Sequence, residues 1–286
     1  NYFNLGLVKK VFFLFNILLN SKKKNIFICG WNKIEYWFIL LFSFNSKKIF
    51  VCDSFENKNK VFYYLKSFFL SKIDHVIVPG SLHKKFIKSF NFKKDIFVTK
   101  SVGIINPSRK KKIQLKRNKI KIIYIGRISK EKNLSLLFKL IQSSKSLTLS
   151  IYGKDEINLK SNLNVELKNK IKFKGSILNK KIKTIIKEYD LLILPSKFEP
   201  WGLVIEEAIY NGIPVICSNK VGSHKDLIKS LKLGYVFENN SLRSLKYCVK
   251  KIRNSTNLSK INKNLASLNY NLIKKKHLNI YEKIMR

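Results

Sequence analysis

The chain has 286 residues, 45% of them apolar, which sets aside a disordered or fibrous protein and favours more than one hydrophobic core. Its 58 basic and 17 acidic residues give a formal charge of +41, the sign expected of a protein that meets nucleic acid or an anionic membrane. Arginine occurs only at Arg109, Arg117, Arg127, Arg243, Arg253 and Arg286, and such a lysine excess is also what codon bias in an AT-rich genome produces, so both readings of the charge stay open.

In chain order, Leu7 to Leu19 predicts an apolar helix, too short for a bilayer span and interrupted by Lys9 and Lys10. A short strand at Asn25 to Cys29 follows, then an aromatic-rich segment from Tyr36 to Phe44. Next come a strand at Lys48 to Cys52, a helix near Val61 to Leu70 and a strand at His75 to Pro79. Apolar runs of four to six residues alternating with helical periodicity predict a parallel sheet covered on both faces. Pro107 to Lys119 breaks this rhythm with a dense basic run and few apolar residues, and reads as a linker. The rhythm restarts with a strand from Lys121 to Ile125 that ends at Gly126. Asn133 is expected to cap a helix running through Ile141, with Leu134, Leu137, Phe138 and Ile141 on one face. Strands at Leu147 to Tyr152 and Ile171 to Phe173, a helix opened by Asn179 and a strand at Leu191 to Leu194 follow. Pro195 stops that strand, a helix spans Leu203 to Tyr210 and ends at Asn211-Gly212, and a further strand covers Ile213 to Cys217.

Cys29, Cys52, Cys217 and Cys248 form no close pair of the zinc or redox type, which reads as a reduced, cytosolic protein. His75, His83, His224 and His277 lack ligand spacing and read as surface or packing residues, so no metal is expected. Asn254-Ser255-Thr256 matches a glycosylation acceptor, a triplet that arises readily by chance in an asparagine-rich chain.

The chemistry concentrates between Pro195 and Ala208. Here a strand end leads into a loop with a carboxylate, Glu199, then a glycine, Gly202, at a helix N-terminus, then a second carboxylate, Glu207, one turn into the helix. Ligands of open α/β sheets sit beyond the carboxyl ends of the strands, and a helix N-terminus offers free N–H groups to phosphate. Two carboxylates beside an anion site suit a ligand that also carries hydroxyls, as a nucleotide sugar does.

The Glu199 to Glu207 spacing resembles the Glu-x7-Glu signature of the large family 4 of retaining glycosyltransferases, which have the GT-B architecture. Asn211-Gly212-Ile213-Pro214-Val215-Ile216 is similar to the turn and strand that follow it in the family. Gly126-Arg127-Ile128-Ser129-Lys130-Glu131-Lys132-Asn133 resembles the family's Gly-Arg…Lys-Asn motif, and Phe173-Lys174-Gly175 its base-contacting strand end. Together these cover about Lys121 to Phe237 in the family's order. The resemblance implies an α/β fold of two Rossmann-like domains facing a cleft. Residues 1–106 would be the acceptor-side domain, 107–119 the linker, 120–271 the nucleotide-sugar domain and 272–286 a helix crossing back to the first.

It implies a donor site of Gly126, Arg127, Lys132, Phe173, Lys174, Glu199, Gly202, Leu203 and Glu207. Arg127 and Lys132 would clamp the diphosphate, Glu199 would hold sugar hydroxyls, Gly202 and Leu203 would present backbone to phosphate, and Glu207 would hold the ribose. Catalysis would rest on Glu199, Arg127 and Lys132, without metal, cofactor or dedicated base. Adjacent helical residues point about 100° apart, so Glu206 is expected to be solvated where Glu207 faces the ligand. The implied reaction transfers a hexosyl unit with retention to a glycan or lipid-linked acceptor in cell-surface polysaccharide or lipopolysaccharide synthesis.

In the first domain, His75 to Ser81 and Val98 to Ile104 are similar to the family's closing segments, and Asp53-Ser54 falls where relatives place acceptor-facing residues. The family's glycine-rich N-terminal loop has no counterpart, and the chain begins at Asn1 without methionine. The expectation is therefore an incomplete N-terminal domain, with at least one further βα unit ahead of Asn1. Lys9, Lys22 to Lys24 and Lys84 to Lys94 suggest a cytoplasmic protein held peripherally on an anionic membrane. The paired carboxylates also suit a nucleotide-sugar epimerase or a glycoside hydrolase, though a hydrolase needs no phosphate clamp. The charge also suits a basic nucleic-acid-binding protein, but the lysines are scattered rather than gathered in an aromatic groove, so no specific nucleic acid is expected.

Overall fold

Side chains of a strand alternate between the two faces of its sheet, and here both faces are apolar. The computed structural model describes residues 6–19, 25–56, 62–100, 103, 107, 119–161, 163 and 165–286. The chain divides into two units, Asn1–Lys100 with Lys275–Arg286, and Ser101–Lys274. The expected linker, apart from Pro107 and Lys119, lies outside the described residues, as do Lys22 to Lys24.

The first unit holds four parallel strands in sequential order, β1 (Asn25–Ile28), β2 (Lys47–Val51), β3 (His75–Val78) and β4 (Ile96–Val98). Helix α1 (Leu7–Leu19) precedes them, and α2 (Ile34–Phe42), α3 (Phe62–Ser71) and α4 (Ser81–Lys88) connect them. Phe50, Val76 and Val78 share a core with Phe69, Leu70 and Ile87 of α3 and α4. Their strand neighbours Ile49 and Ile77 pack instead with Ile280 and Ile284 of the C-terminal helix (Tyr270–Met285). Lys47 Nζ donates to the Ile284 carbonyl at 3.1 Å and Asn25 Nδ2 to that of Met285 at 3.4 Å. Those are carbonyls that a helix C-terminus leaves open, and a cation there also complements the helix dipole.

The second unit is a six-stranded parallel sheet of β5 (Ile120–Ile125), β6 (Leu147–Tyr152), β7 (Ile171–Phe173), β8 (Leu191–Leu194), β9 (Val215–Ser218) and β10 (Gly234–Phe237). Its spatial order is β10-β9-β8-β5-β6-β7. The chain steps outward from β5 to β7, returns to β8 on the other side of β5, and steps outward again. The connections leaving β5 and β8 therefore diverge, and the crevice between them at the carboxyl ends is where such sheets take ligands. Helices α5 (Leu134–Gln142), α6 (Val165–Lys170), α7 (Asn179–Ile185) and α8 (Leu203–Tyr210) supply the crossovers. Tyr124 and Phe237 are fully buried in this core, and burial of one such side chain contributes about 1.5–3 kcal/mol.

Several expectations need correction. Asn133 does not cap α5 with its side chain. A 3-10 turn, Lys130–Lys132, runs straight into the helix, and Asn133 between them takes φ 55 and ψ 41, a left-handed conformation that asparagine tolerates. Its Nδ2 donates instead to Pro195 O at 3.4 Å and Asn240 Oδ1 at 3.0 Å. Asn179 does open α7 as its first residue, as expected. Beyond Cys217 the structure adds a π-helical turn (His224–Lys229), β10, α9 (Leu242–Arg253) and α10 (Ser255–Ser267), none of them among the expected elements. The last two start at side-chain caps, Ser241 accepting from Ser244 N and Asn254 from Asn257 N, so the Asn254 triplet opens a helix.

Candidate active site

Two loops at the switch point build the site. The first leaves β5 at Gly126. Tyr124 Oη donates to Arg127 O at 2.7 Å and draws the loop back over the strand end. Burial, and then the charge of Glu199, push the Tyr124 pKa up, so the phenol keeps its proton as a donor. The loop is tied sideways to the segment after β6 by Ile128 N to Lys154 O at 2.9 Å and Glu156 N to Ile128 O at 3.0 Å. The second loop leaves β8 at Pro195 and joins the first through Lys197 N to Glu131 O at 2.7 Å and the Asn133 amide on Pro195 O.

This lacing brings Lys132 onto Glu199, 67 residues away in sequence, as an ion pair and hydrogen bond between Nζ and Oε2. Their side chains are only 15% and 16% exposed, so water screens the pair weakly. Ser196 Oγ adds a donor to the same Glu199 oxygen at 3.4 Å. The Glu199 backbone is fixed as well, its N–H donating to Lys220 O at 3.1 Å and its carbonyl accepting from Gly222 N at 2.9 Å.

Gly202 follows at the start of α8 with φ 88 and ψ 66. A Cβ there would lie 3.1 Å from Val221 Cγ1, 3.2 Å from Leu194 Cδ2 and 3.4 Å from Glu199 Cγ, so both conformation and space call for glycine. The first N–H groups of α8 lack intrahelical partners and, with the helix dipole, favour an anion.

Arg127 stands apart from this pair. Its guanidinium is 69% exposed and meets Glu156 at 3.5 Å, a partner the sequence reading missed. Phe173 and Lys174 are not brought to Glu199 either: Phe173 packs edge-on to Phe138 with centroids 6.4 Å apart, and Lys174 lines a separate lysine-rich groove. Glu207 and Leu203 of α8 and Asn211 just after it line a small cleft of about 120 Å³ with Asn179, Ile182 and Lys183 of α7. Burial, and then the neighbouring Glu206 charge, push Glu207 up to about 7.

Glu206 is the clearest correction. It is fully buried rather than solvated, and its Oε1 accepts a hydrogen bond from Trp201 Nε1. The divergence of neighbouring helical residues holds, but α8 is covered almost all round, so the direction away from Glu207 leads into the core. Among the described residues no cluster of His, Cys, Asp or Glu could hold a metal ion, and no helix is long and apolar enough to cross a membrane.

Residues 106–268, more than half of the chain, match the family of glycosyl transferases group 1. The chain belongs to this family. An uncharacterized glycosyltransferase of Methanocaldococcus jannaschii is 28% identical over 253 residues, covering 80% of this chain and 63% of that protein. An uncharacterized 41.2 kDa protein in the cps region of Klebsiella pneumoniae is 25% identical over 180 residues, covering 59% of this chain and 49% of that one. The chain thus spans about half to two thirds of the length of these relatives. Anabaena HepE, solved in complex with UDP, superposes with a TM-score of 0.73 at 15% identity, covering 96% of this chain and 82% of HepE. The fold, mixed α/β with parallel sheets, is that of GT-B glycosyltransferases of known structure.

Proposed function

We propose that this family member transfers a hexosyl unit from a nucleotide diphosphate sugar to a hydroxyl of a glycan or glycolipid, with retention, as family 4 enzymes do, in cell-surface polysaccharide synthesis. The observation that carries the reading is the weakly screened Lys132 and Glu199 pair beside the N-terminus of α8 at the switch point. HepE, of the same fold, was solved with UDP, and a Klebsiella relative is encoded in a cps region, which supports both donor class and product class. Lys132, Arg127 and the α8 N–H groups take the developing charge of the diphosphate as the bond from the anomeric carbon to phosphate oxygen breaks. The acceptor oxygen bonds to that carbon, and its proton passes to the departing phosphate oxygen. Glu199 holds sugar hydroxyls and Glu207 the ribose. The reading assigns no step to a metal or other cofactor.

Thermal melts with UDP, GDP and ADP test the donor class. The matching nucleotide at 100 times its Kd should add about 2.7 kcal/mol of stability, and stabilisation by none of the three would count against the reading. Glu207 sets the pH dependence. A carboxyl whose folded pKa is about 7 rather than its ordinary 4.5 holds its proton more tightly when folded, so the ligand-free protein loses stability as pH rises between those values. Ribose hydroxyls donate to the ionised form. Nucleotide affinity should therefore rise about tenfold from pH 6 to pH 8, the ratio of ionised fractions about such a pKa. Glu207→Gln should flatten that slope in calorimetric titrations, and an unchanged slope would remove Glu207 from the ribose.

In this reading any peripheral membrane contact falls to the first unit. Phe12 on α1, Phe44 after α2 and Tyr64 on α3 are 66%, 81% and 80% exposed, with Lys9 and Lys84 in the same unit. Exposed aromatic rings with lysines suit an anionic lipid surface, at about 1 kcal/mol per lysine near it. Co-sedimentation with phosphatidylglycerol vesicles should exceed that with phosphatidylcholine and fall with salt. Equal sedimentation on both would oppose peripheral attachment.

A further inference from the structure

Glu206 and Trp201 are used by none of the roles above, yet both are buried, Glu206 completely and Trp201 to 4% exposure. Trp201 lies two residues after Glu199 and directly before Gly202. Glu206 reaches back from the first turns of α8, and its Oε1 accepts the indole N–H. The contact closes a short loop around the left-handed Gly202, so it fixes the angle at which the Glu199 segment meets the helix. On its other side the same segment is held by backbone bonds, Glu199 to Lys220 and Gly222, and Ser223 N to Trp201 O at 3.2 Å. The loop is therefore held from two directions, by backbone bonds on one side and by the Trp201–Glu206 side-chain contact on the other.

Packing alone does not call for this pair. Among the described residues Glu206 is the one fully buried carboxylate, and an apolar residue of similar volume would fill the space at lower desolvation cost. What a carboxylate adds is a directed acceptor for the indole. We infer that Glu206 is a positioning residue for the proposed transfer, acting through Trp201 to set the orientation of the loop that carries Glu199 and Gly202. The inference rests on the donor-site reading above. Glu206 touches neither donor nor acceptor in it; Glu199 does.

The test uses Glu206→Gln, Glu206→Leu, Trp201→Phe and the Trp201→Phe/Glu206→Leu double variant. Each is read by hydrogen exchange of residues 198–203 and 220–224, by melting temperature, and by the KM and kcat of transfer with the nucleotide sugar found by the nucleotide screen. Glu206→Leu and Trp201→Phe should each lower exchange protection of both segments and kcat by about tenfold or more, while the melting temperature and UDP affinity stay near wild type. Glu206→Gln should restore protection and kcat, because its amide oxygen still accepts the indole N–H. The double variant should be no worse than either single one, as expected of partners in one interaction. Wild-type protection and kcat in Glu206→Leu would overturn the inference, as would a Glu206→Gln variant as impaired as Glu206→Leu, or single effects that add. If Glu206→Leu does not fold, the comparison of Trp201→Phe with Glu206→Gln decides on the same readouts. A wild-type protein that binds no nucleoside diphosphate would defeat the donor reading, and the exchange data would still decide whether the pair orders the loop.

Discussion

Lys132→Ala is expected to lower the rate of transfer by about 10²–10³-fold, the usual loss when one preorganised donor to a developing anion is removed. Two effects act together. The departing diphosphate loses a cation that is only 15% exposed and so weakly screened, and Glu199, at 16% exposure, is left as a half-desolvated carboxylate without its counter-charge. Arg127→Ala should cost much less, because that guanidinium is 69% exposed and already shared with Glu156. Glu199→Gln separates binding from chemistry. It keeps size and removes charge, so nucleoside diphosphate should bind nearly as before while turnover falls, since sugar orientation matters most in the transition state. Initial transfer rates beside calorimetric titration with UDP distinguish these variants. A wild-type rate in Lys132→Ala would exclude it from the diphosphate clamp. Loss of nucleotide binding in Glu199→Gln with none in Glu207→Ala would reverse the two carboxylate roles.

Gly153→Ala should destabilise the second unit by roughly 3 kcal/mol or more, in the range of severe backbone and packing conflicts. Gly153 follows β6, its N–H donates to Gly175 O at 2.8 Å, and an added Cβ would fall 1.9 Å from the carbonyl oxygen of Gly126. Backbone lies on backbone there, so no side chain can rotate away. Relief would require moving the start of the loop that carries Arg127 and Lys132. Gly175→Ala provides the contrast, since it has φ 72 but nothing within 4 Å of the new Cβ, and should cost only about 1–2 kcal/mol of conformational strain. Urea unfolding should show a large drop in midpoint for Gly153→Ala at unchanged slope and a small one for Gly175→Ala. Equal midpoints would mean that the Gly126 contact yields easily.

The sequence alone determined where five of the six strands of the second unit lie, all but β10. Strands of a parallel sheet are buried on both faces, so runs such as Leu191 to Leu194 stay apolar without interruption, and Pro195 and Gly126 mark their ends. It also determined the order of the Gly126 to Asn133 and Glu199 to Glu207 motifs, and with them the family. Tertiary structure decided which of these residues meet. Lys132 reaches Glu199 because β5 and β8 are neighbours at the switch point, an adjacency that periodicity does not encode. Arg127 turns instead to Glu156, since the loop after β5 is bonded along its length to the segment after β6. The fate of Glu206 shows the limit most directly. Helical geometry fixes the angle between Glu206 and Glu207, but whether that angle points to water depends on what covers the helix, and around α8 the cover is Trp201 and the sheet core.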